Sequence, residues 1–449
     1  MTVLFALHSA YGLATAAAAV DEGLFADGGE RVLVPFNSAR VPETTVGIDQ
    51  PAHLSRLRAR FDRAESLDAL LQPRHPSSWA PDDEELPVLR RLIERAWNLD
   101  GDLELCVQSP QVAPARTLMS LFPDARITII GDGLMTYSPL RVQLPRLVTA
   151  RVTRVVYADV VPDVEPLLFR ETGAERMPVA PAAFGRVLRE STADDAHLGG
   201  LADGTPTALV LGQYLAALGL VSSAEEIAMQ CDMVDRAAAW GPRRIMFKPH
   251  PSAPAQVTDA VRNRAETHGA EFVEYRGAES AELVAERLDA VGVVAGFSTA
   301  LPTVQALFGR PIASSGTQTL LRRLTPFENS NRVPATIVDA VTRADSPYAS
   351  ADELQLLVDA VGYAMQPKIA ASLRPRAEEL LTRLTGAERE RYFDPVRLAR
   401  LRLPGAPAES LPRRLLRSAG GVGRAEELRL TIHGARRRAK RAWKAVRGL

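Results

Sequence analysis

Short apolar runs alternate with helix-length segments along most of this 449-residue chain, and the alternation runs through two successive series. In the first, Val3–Leu7, Arg31–Phe36, Leu103–Val107, Arg126–Ile130 and Thr153–Asp159 read as strands, with helical periods over Leu13–Asp21 and Ala115–Phe122. In the second, strands at Thr207–Leu211, Arg244–Phe247, Glu271–Tyr275, Val291–Gly296 and Pro311–Ser314 alternate with helices at 223–239, 254–267, 279–288 and 300–308. Strands separated by helix-length segments form parallel βαβ units. A chain of this length exceeds one ordinary core. The pattern predicts an α/β protein with two Rossmann-like domains facing a cleft, 1–195 and 196–390, followed by a linker and basic tail over 391–449. The boundary is placed near the Ala-, Asp- and Gly-rich stretch Pro178–Gly204. Residues 51–100 read as mostly helical, broken by Pro73, Pro76 and Pro81. Helices are also expected near 351–364 and 374–385. Ser222 and Ser223 each precede a Glu by three residues, a doubled capping-box signal for the helix at 223.

Composition excludes wholesale disorder, with 46% hydrophobic and 24% charged residues. Cys106 and Cys231 are too few for a disulfide framework and sit in apolar stretches, so buried free thiols and a cytoplasmic setting are expected. Met1–Val20 lacks the basic start of a secretory signal and is broken by His8, Ser9 and Tyr11-Gly12, so it reads as strand then helix. The uncharged stretch Gly204–Ala224 contains Pro206, Gln213, Gly219 and Ser222 and reads as strand plus loop, not as a membrane span. The net charge of zero hides an asymmetry. Residues 412–449 carry twelve Lys/Arg and two Glu, leaving 42 bases against 52 acids in the rest. Within that tail Ala439, Ala442, Trp443 and Val446 share one helical face among the bases, which fits the anionic inner face of a plasma membrane. A solvated tail is the plainer reading. Nucleic acid is not expected as a partner, because the body is acidic and no aromatic-basic platform precedes the tail.

Ligands of open α/β sheets collect at the carboxyl ends of strands, and three such ends carry polar groups. His250 follows Arg244–Phe247 and Lys248 and is flanked by Pro249 and Pro251, which restrict its backbone. It is placed to meet an anion or carry a proton, or to serve as a turn histidine; Lys248 adds electrostatic help or is a surface residue. His75-Pro76 follows no strand and is assigned to a loop. After Val291–Ala295 come Gly296, which permits close backbone approach, and the hydroxyls of Ser298 and Thr299 at a helix start. That arrangement suits a phosphate or a plain cap. After Ile127–Ile130 comes Gly131-Asp132-Gly133. Asp132 is a turn residue or a general base facing the cleft. Gln213, just past Thr207–Leu211, is an ordinary loop residue or lines a nucleotide pocket.

Together Asp132-Gly133, His250-Pro251 and Ser298-Thr299 resemble, in order, the motifs of two-lobed (GT-B) bacterial sialyltransferases and polysialyltransferases. The run His8-Ser9-Ala10-Tyr11-Gly12-Leu13 is similar to that family's first strand and turn, and the resemblance spans about residues 1–385. It implies an inverting, metal-independent glycosyltransferase. In that mechanism Asp132 deprotonates an acceptor hydroxyl, while His250, Ser298 and Thr299 neutralise the leaving phosphate of a CMP-sugar. A cell-surface or capsule glycan is the implied acceptor. No cofactor is implied, and no metal-ligand cluster stands at recognisable spacing. One position departs from the family's pattern: the acid that usually precedes the Asp is Gly131 here. Two rivals remain at this stage. A CDP-glycerol-type phosphotransferase of teichoic-acid synthesis also combines a His-Pro motif with a serine-rich turn, and a non-catalytic nucleotide-binding partner would keep the fold without turnover.

Overall fold

The structure, a computed structural model, describes residues 1–25, 28–38, 46–192, 195–250 and 253–406. Pro251 and the basic tail lie outside these residues. Twelve strands form two sheets in which every pairing is parallel. The first contains β1 (Thr2–Leu7), β2 (Glu30–Pro35), β3 (Arg63–Ala64), β4 (Leu103–Val107), β5 (Arg126–Ile130), β6 (Val152–Ala158) and β7 (Glu175–Val179), in the order β3-β2-β1-β4-β5-β6-β7. The second contains β8 (Thr207–Leu211), β9 (Arg244–Lys248), β10 (Glu271–Glu274), β11 (Gly292–Ala295) and β12 (Ile312–Ser314), in the order β10-β9-β8-β11-β12. Both sheets are Rossmann-like. Each winds outward from its first strand, returns, and winds the other way, which leaves a crevice beside that first strand at its carboxyl end.

The central strands are apolar runs buried on both faces, as parallel sheets require. Every residue of β1 and of β8 is buried. Helix Ala10–Asp21 packs against the first sheet through alanines, and Ala16, Ala17, Ala18 and Ala19 are wholly buried. Side chains this small let the helix lie close to the strands. On the same sheet Phe5 makes edge-on contacts with Phe25 and Phe61, each with ring centroids 5.0 Å apart.

Residues Met1–Phe393 form one compact unit. Part of the reason lies in helix Ala351–Met365, which follows the second sheet in sequence but packs on the segment between β6 and β7 of the first half. The Arg170 Nη1 donates to Asp359 Oδ1 at 3.1 Å, and Arg376 pairs with the same carboxylate. Gln355 Oε1 accepts from the Glu165 amide at 2.6 Å. Gly362 leaves the space that Leu167 fills. Asp394 begins a second unit, where its side chain caps helix Pro395–Leu401 by accepting from the Val396 and Arg397 amides.

The expected inner strands are present within a residue or two of their predicted limits. Two edge strands, β3 and β7, are additional. The stretch assigned to the domain boundary is itself largely helical: Pro181–Glu190 buries Phe184, Val187 and Leu188, and Ala196–Leu201 is capped by Asp195. The doubled capping signal resolves into two jobs. Ser222 and Glu225 form the capping box, whereas Glu226 turns inward and accepts from the Leu215 amide at 2.6 Å and the Ala216 amide at 3.2 Å. Both cysteines are free; Cys106 is buried but Cys231 only partly so. Among the described residues no helix is long and apolar enough to cross a membrane.

Asp359 has no exposed side-chain surface and its two cations are only partly exposed, so its removal breaks a mostly buried ionic cluster. Asp359→Ala is expected to lower unfolding free energy by about 3 kcal/mol, the low end for breaking a buried pair because Arg170 reaches solvent. Urea denaturation followed by circular dichroism checks this.

Candidate active site

The register of the first sheet sets the site. Ala6 of β1 lies beside Val107 of β4, so His8 and Ser109 emerge level with one another at the crevice. Between them Gln108, with no exposed surface, acts as a clamp. Its Oε1 accepts from the His8 amide at 3.1 Å and its Nε2 donates to Ser9 Oγ at 2.7 Å. Ser9 Oγ also accepts from the Gly12 amide at 3.0 Å, capping the alanine-rich helix. Position 12 must be glycine here, since a Cβ would stand 2.5 Å from Gln108 Oε1. The His8 ring is held at both nitrogens, Nε2 by Ser109 Oγ at 3.0 Å and Nδ1 by Ser38 Oγ at 3.1 Å. Burial lowers the His8 pKa, and the nearby Asp132 carboxylate opposes that shift.

Asp132 follows β5 and opens the short turn Gly133–Tyr137, with its amide donating to Thr136 Oγ1 at 2.8 Å. It borders a cavity of about 120 Å³ that is also lined by Ser109, Gln111, Met135, Arg141 and Ser330. Gly133 has φ +52°, a left-handed conformation that glycine adopts without strain.

The second sheet repeats the plan. Val294 lies beside Val210, so Gly296 and Gly212 come level. The side chain of Gln213 occupies the space above Gly296 that any Cβ would need, and its Oε1 is buried without a hydrogen-bond partner. Gln230 Nε2 donates to the Gln213 carbonyl at 2.8 Å. His250 is exposed at the end of β9, with its ring 6.4 Å from that of Tyr214. Lys248 turns elsewhere. Its Nζ donates to the Gly277 carbonyl at 2.9 Å and sits 4.8 Å from the centre of the Tyr275 ring. Burial lowers its pKa, opposed by Glu279, Glu282 and Asp195. Ser298 Oγ accepts from the Ala300 amide at 3.2 Å at the start of helix Ala300–Phe308.

The two sheets meet at their carboxyl ends. Thr299 Oγ1 accepts from the Leu134 amide at 3.3 Å. A Cβ on Gly133 would stand 2.5 Å from Thr299 Cγ2. Tyr11, half-buried with its hydroxyl inaccessible, lies beside Asp132 from one sheet and Glu282 and Thr303 from the other, and desolvation raises its pKa.

The Alpha-2,8-polysialyltransferase family matches residues 3–317, a span that takes in both sheets and every described motif. The chain belongs to this family. It is therefore a glycosyltransferase, and its two Rossmann-like sheets with opposed carboxyl ends are the GT-B arrangement. None of the curated proteins matches it. Among solved structures, a sialyltransferase from Photobacterium damselae is 13% identical, covering 76% of this chain and 96% of that one at a TM-score of 0.39. A glycosyltransferase from Rickettsia africae is 8% identical, covering 84% and 92% at 0.39. A UDP-glucosyltransferase from Polygonum tinctorium is 13% identical, covering 84% and 97% at 0.41. Overlaps this loose carry no conclusion about substrate.

Of the family-like positions, the structure brings Asp132, Gly133 and Thr299 together, with Ser298 alongside. Gln213 and Gly296 are in contact in the second crevice, and His250 lies by Tyr214 from the same loop as Gln213. Lys248 is bound to the loop after β10, and Pro251 falls outside the described residues. His75 caps a local turn, its Nδ1 accepting from the Ser77 amide at 3.1 Å. Sequence inspection overlooked Gln108, Ser109, Arg141 and Ser330. Ser109 carried the same signal as the others, a hydroxyl just past an apolar strand. Among the described residues no group of three or more His, Cys, Asp or Glu gathers as a metal site would.

Gly131 has a steric explanation. A Cβ there would stand 2.8 Å from both Tyr157 Cβ and Thr136 Oγ1 and 3.2 Å from Tyr157 Cα. The family's usual acid cannot enter without moving β6. Restoring it as Gly131→Asp is expected to lower stability by about 2–3 kcal/mol through overpacking and not to raise activity. Thermal denaturation beside a transfer assay checks both.

Proposed function

We propose that this protein transfers sialic acid, or a related CMP-activated sugar, to a glycan acceptor by an inverting mechanism that uses no metal. The observation that carries the reading is the hydrogen bond from the Leu134 amide to Thr299 Oγ1, which seats the second sheet's hydroxyl turn against the Asp132 turn. An acceptor hydroxyl in the Asp132 cavity would then lie beside a phosphate held at Ser298 and Thr299. The acceptor oxygen attacks the anomeric carbon and Asp132 takes its proton. The bond from that carbon to the phosphate oxygen breaks and CMP leaves with the electron pair. His250 and the hydroxyls of Ser298 and Thr299 meet the charge that grows on the phosphate. The buried Gln213 Oε1, an acceptor without a donor, lines the nucleotide side of the crevice.

The acceptor we propose is a cell-surface or capsule glycan, reached from the cytoplasmic face of the plasma membrane. The twelve bases of residues 412–449 support attachment to anionic lipid, with no role for nucleic acid.

Stabilisation of the wild type by CMP and CDP but not by UDP or GDP, read as a rise in melting temperature, is the expected result, and His250→Ala should lose it. Selective stabilisation by UDP or GDP would rule out a CMP-sugar donor. Asp132→Asn is expected to keep the CMP response and lose transfer by about 10²–10⁴ in kcat, measured as CMP released in the presence of acceptor.

A further inference from the structure

The crevice of the second sheet is accounted for by the donor, but that of the first holds two groups the reaction above does not use. His8 and Ser109 stand where β1 and β4 part, the place at which an open α/β sheet binds its ligand. Ser109 borders the same cavity as Asp132. Its backbone is left-handed at φ +55°, although serine has a Cβ. Such a conformation carries a steric cost for a residue with a Cβ and persists where the surroundings impose it. Here the surroundings are explicit. The Gln108 clamp sets the path of both strand ends, and the hydroxyl is caught by His8 Nε2 at 3.0 Å. His8 in turn is held at Nδ1 by Ser38 Oγ at 3.1 Å and packs on Phe36 with ring centroids 5.3 Å apart. A hydrogen-bonded chain therefore runs Ser38, His8, Ser109 and ends at the cavity wall. With a proton on Nε2, His8 donates to Ser109 Oγ and the serine's own O–H is left to donate into the cavity.

We propose that Ser109 holds an oxygen of the acceptor sugar beside Asp132, and that His8 is the positioning residue that fixes the Ser109 hydroxyl. The inference rests on the reading of the Asp132 cavity as the acceptor site. It explains a cost that packing alone leaves unexplained: a strained serine, where glycine would be unstrained, facing the base. Asp132 accepts only, so a neighbouring donor is what a second oxygen of the acceptor needs for its orientation to be fixed.

The test uses the full chain with Ser109→Ala, His8→Ala and the double variant, and a short α2,8-linked sialic acid oligomer as acceptor probe. Binding of the oligomer by calorimetry and the acceptor KM are measured, with CMP stabilisation as the control for folding. Each single variant is expected to weaken oligomer binding about tenfold, the effect of one hydrogen bond, and to raise the acceptor KM while the CMP response stays at the wild-type value. The double variant should be no worse than Ser109→Ala, because His8 acts through Ser109. Unchanged oligomer binding in Ser109→Ala, or additive losses in the double variant, would overturn the proposal. A wild type that responds to CMP but does not bind the oligomer overturns it while leaving the donor assignment intact. A wild type that binds the oligomer, with the expected variant losses, but responds only to UDP or GDP supports the inference and removes the CMP donor.

Discussion

The cleft depends on a missing side chain. Gly133 has φ +52° and lies so close to Thr299 that a Cβ would stand 2.5 Å from its methyl carbon. Two requirements thus fall on one residue, a left-handed backbone and an empty space, and glycine alone meets both without strain. From that approach follow the Leu134 to Thr299 hydrogen bond and the meeting of the two carboxyl ends. The sheets are brought to this point by elements far from it. Helix Ala351–Met365 returns to the segment between β6 and β7 through Asp359 and Gln355, and the Ser138 hydroxyl donates to the Ser330 carbonyl at 2.7 Å beside the Asp132 cavity. Where the motifs sit is a property of strand ends. Whether they face one another is a property of these distant contacts.

Symmetry between the halves gives the site its logic. In each sheet the residues just past the first strand meet those just past the strand beside it on the other side of the reversal: His8 with Ser109, and Gln213 with Gly296. In each, a buried amide side chain secures the loop, Gln108 in the first and Gln230 in the second. In the first half the contact is between two polar side chains, at the wall of an open cavity. In the second it is an amide side chain over bare backbone, with the Gln213 Oε1 buried and without a hydrogen-bond partner.

The inner strands were legible because burial on both faces demands apolar runs, and β1, β8, β9 and β11 have them, while β4 and β5 each carry one buried polar residue, Glu104 and Thr128, and the threonine donates to the glutamate. The edge strands of the first sheet, β3 and β7, were not, whereas β10 and β12 at the edges of the second were. β3 is two residues long, and its Arg63 is held by Glu30 and by Glu65. β7 carries Glu175, Arg176 and Pro178, a composition that an edge tolerates and a centre does not. At the site, Asp132, His250, Ser298 and Thr299 were legible as polar residues at strand ends. The direction of Lys248 was not, because its partners, Tyr275 and the Gly277 carbonyl, lie on the following strand's loop and only the pairing of β9 with β10 brings them near. Gly131 read as the loss of a functional acid. Its reason lies in Tyr157 on β6, which no local pattern reports.

The contact that closes the cleft also bears on the chemistry we propose. A threonine hydroxyl has one proton to give and two lone pairs to offer. In accepting from the Leu134 amide, Thr299 Oγ1 spends a lone pair and keeps its proton. The backbone of the acceptor half thereby polarises the hydroxyl of the donor half, and hydrogen bonds in series strengthen one another. A phosphate approaching Ser298 and Thr299 would meet a donor already aimed and already polarised, with no reorientation left for the moment when charge develops. Drawing the two sheets apart would break that series at Leu134. The phosphate site would then be weakened at the same time as Asp132 withdrew from the acceptor. On this argument departure of the nucleotide and delivery of the acceptor hydroxyl are coupled through one backbone amide, and the glycine before it, which lets the threonine in, is as much a part of the donor site as of the turn that presents the base.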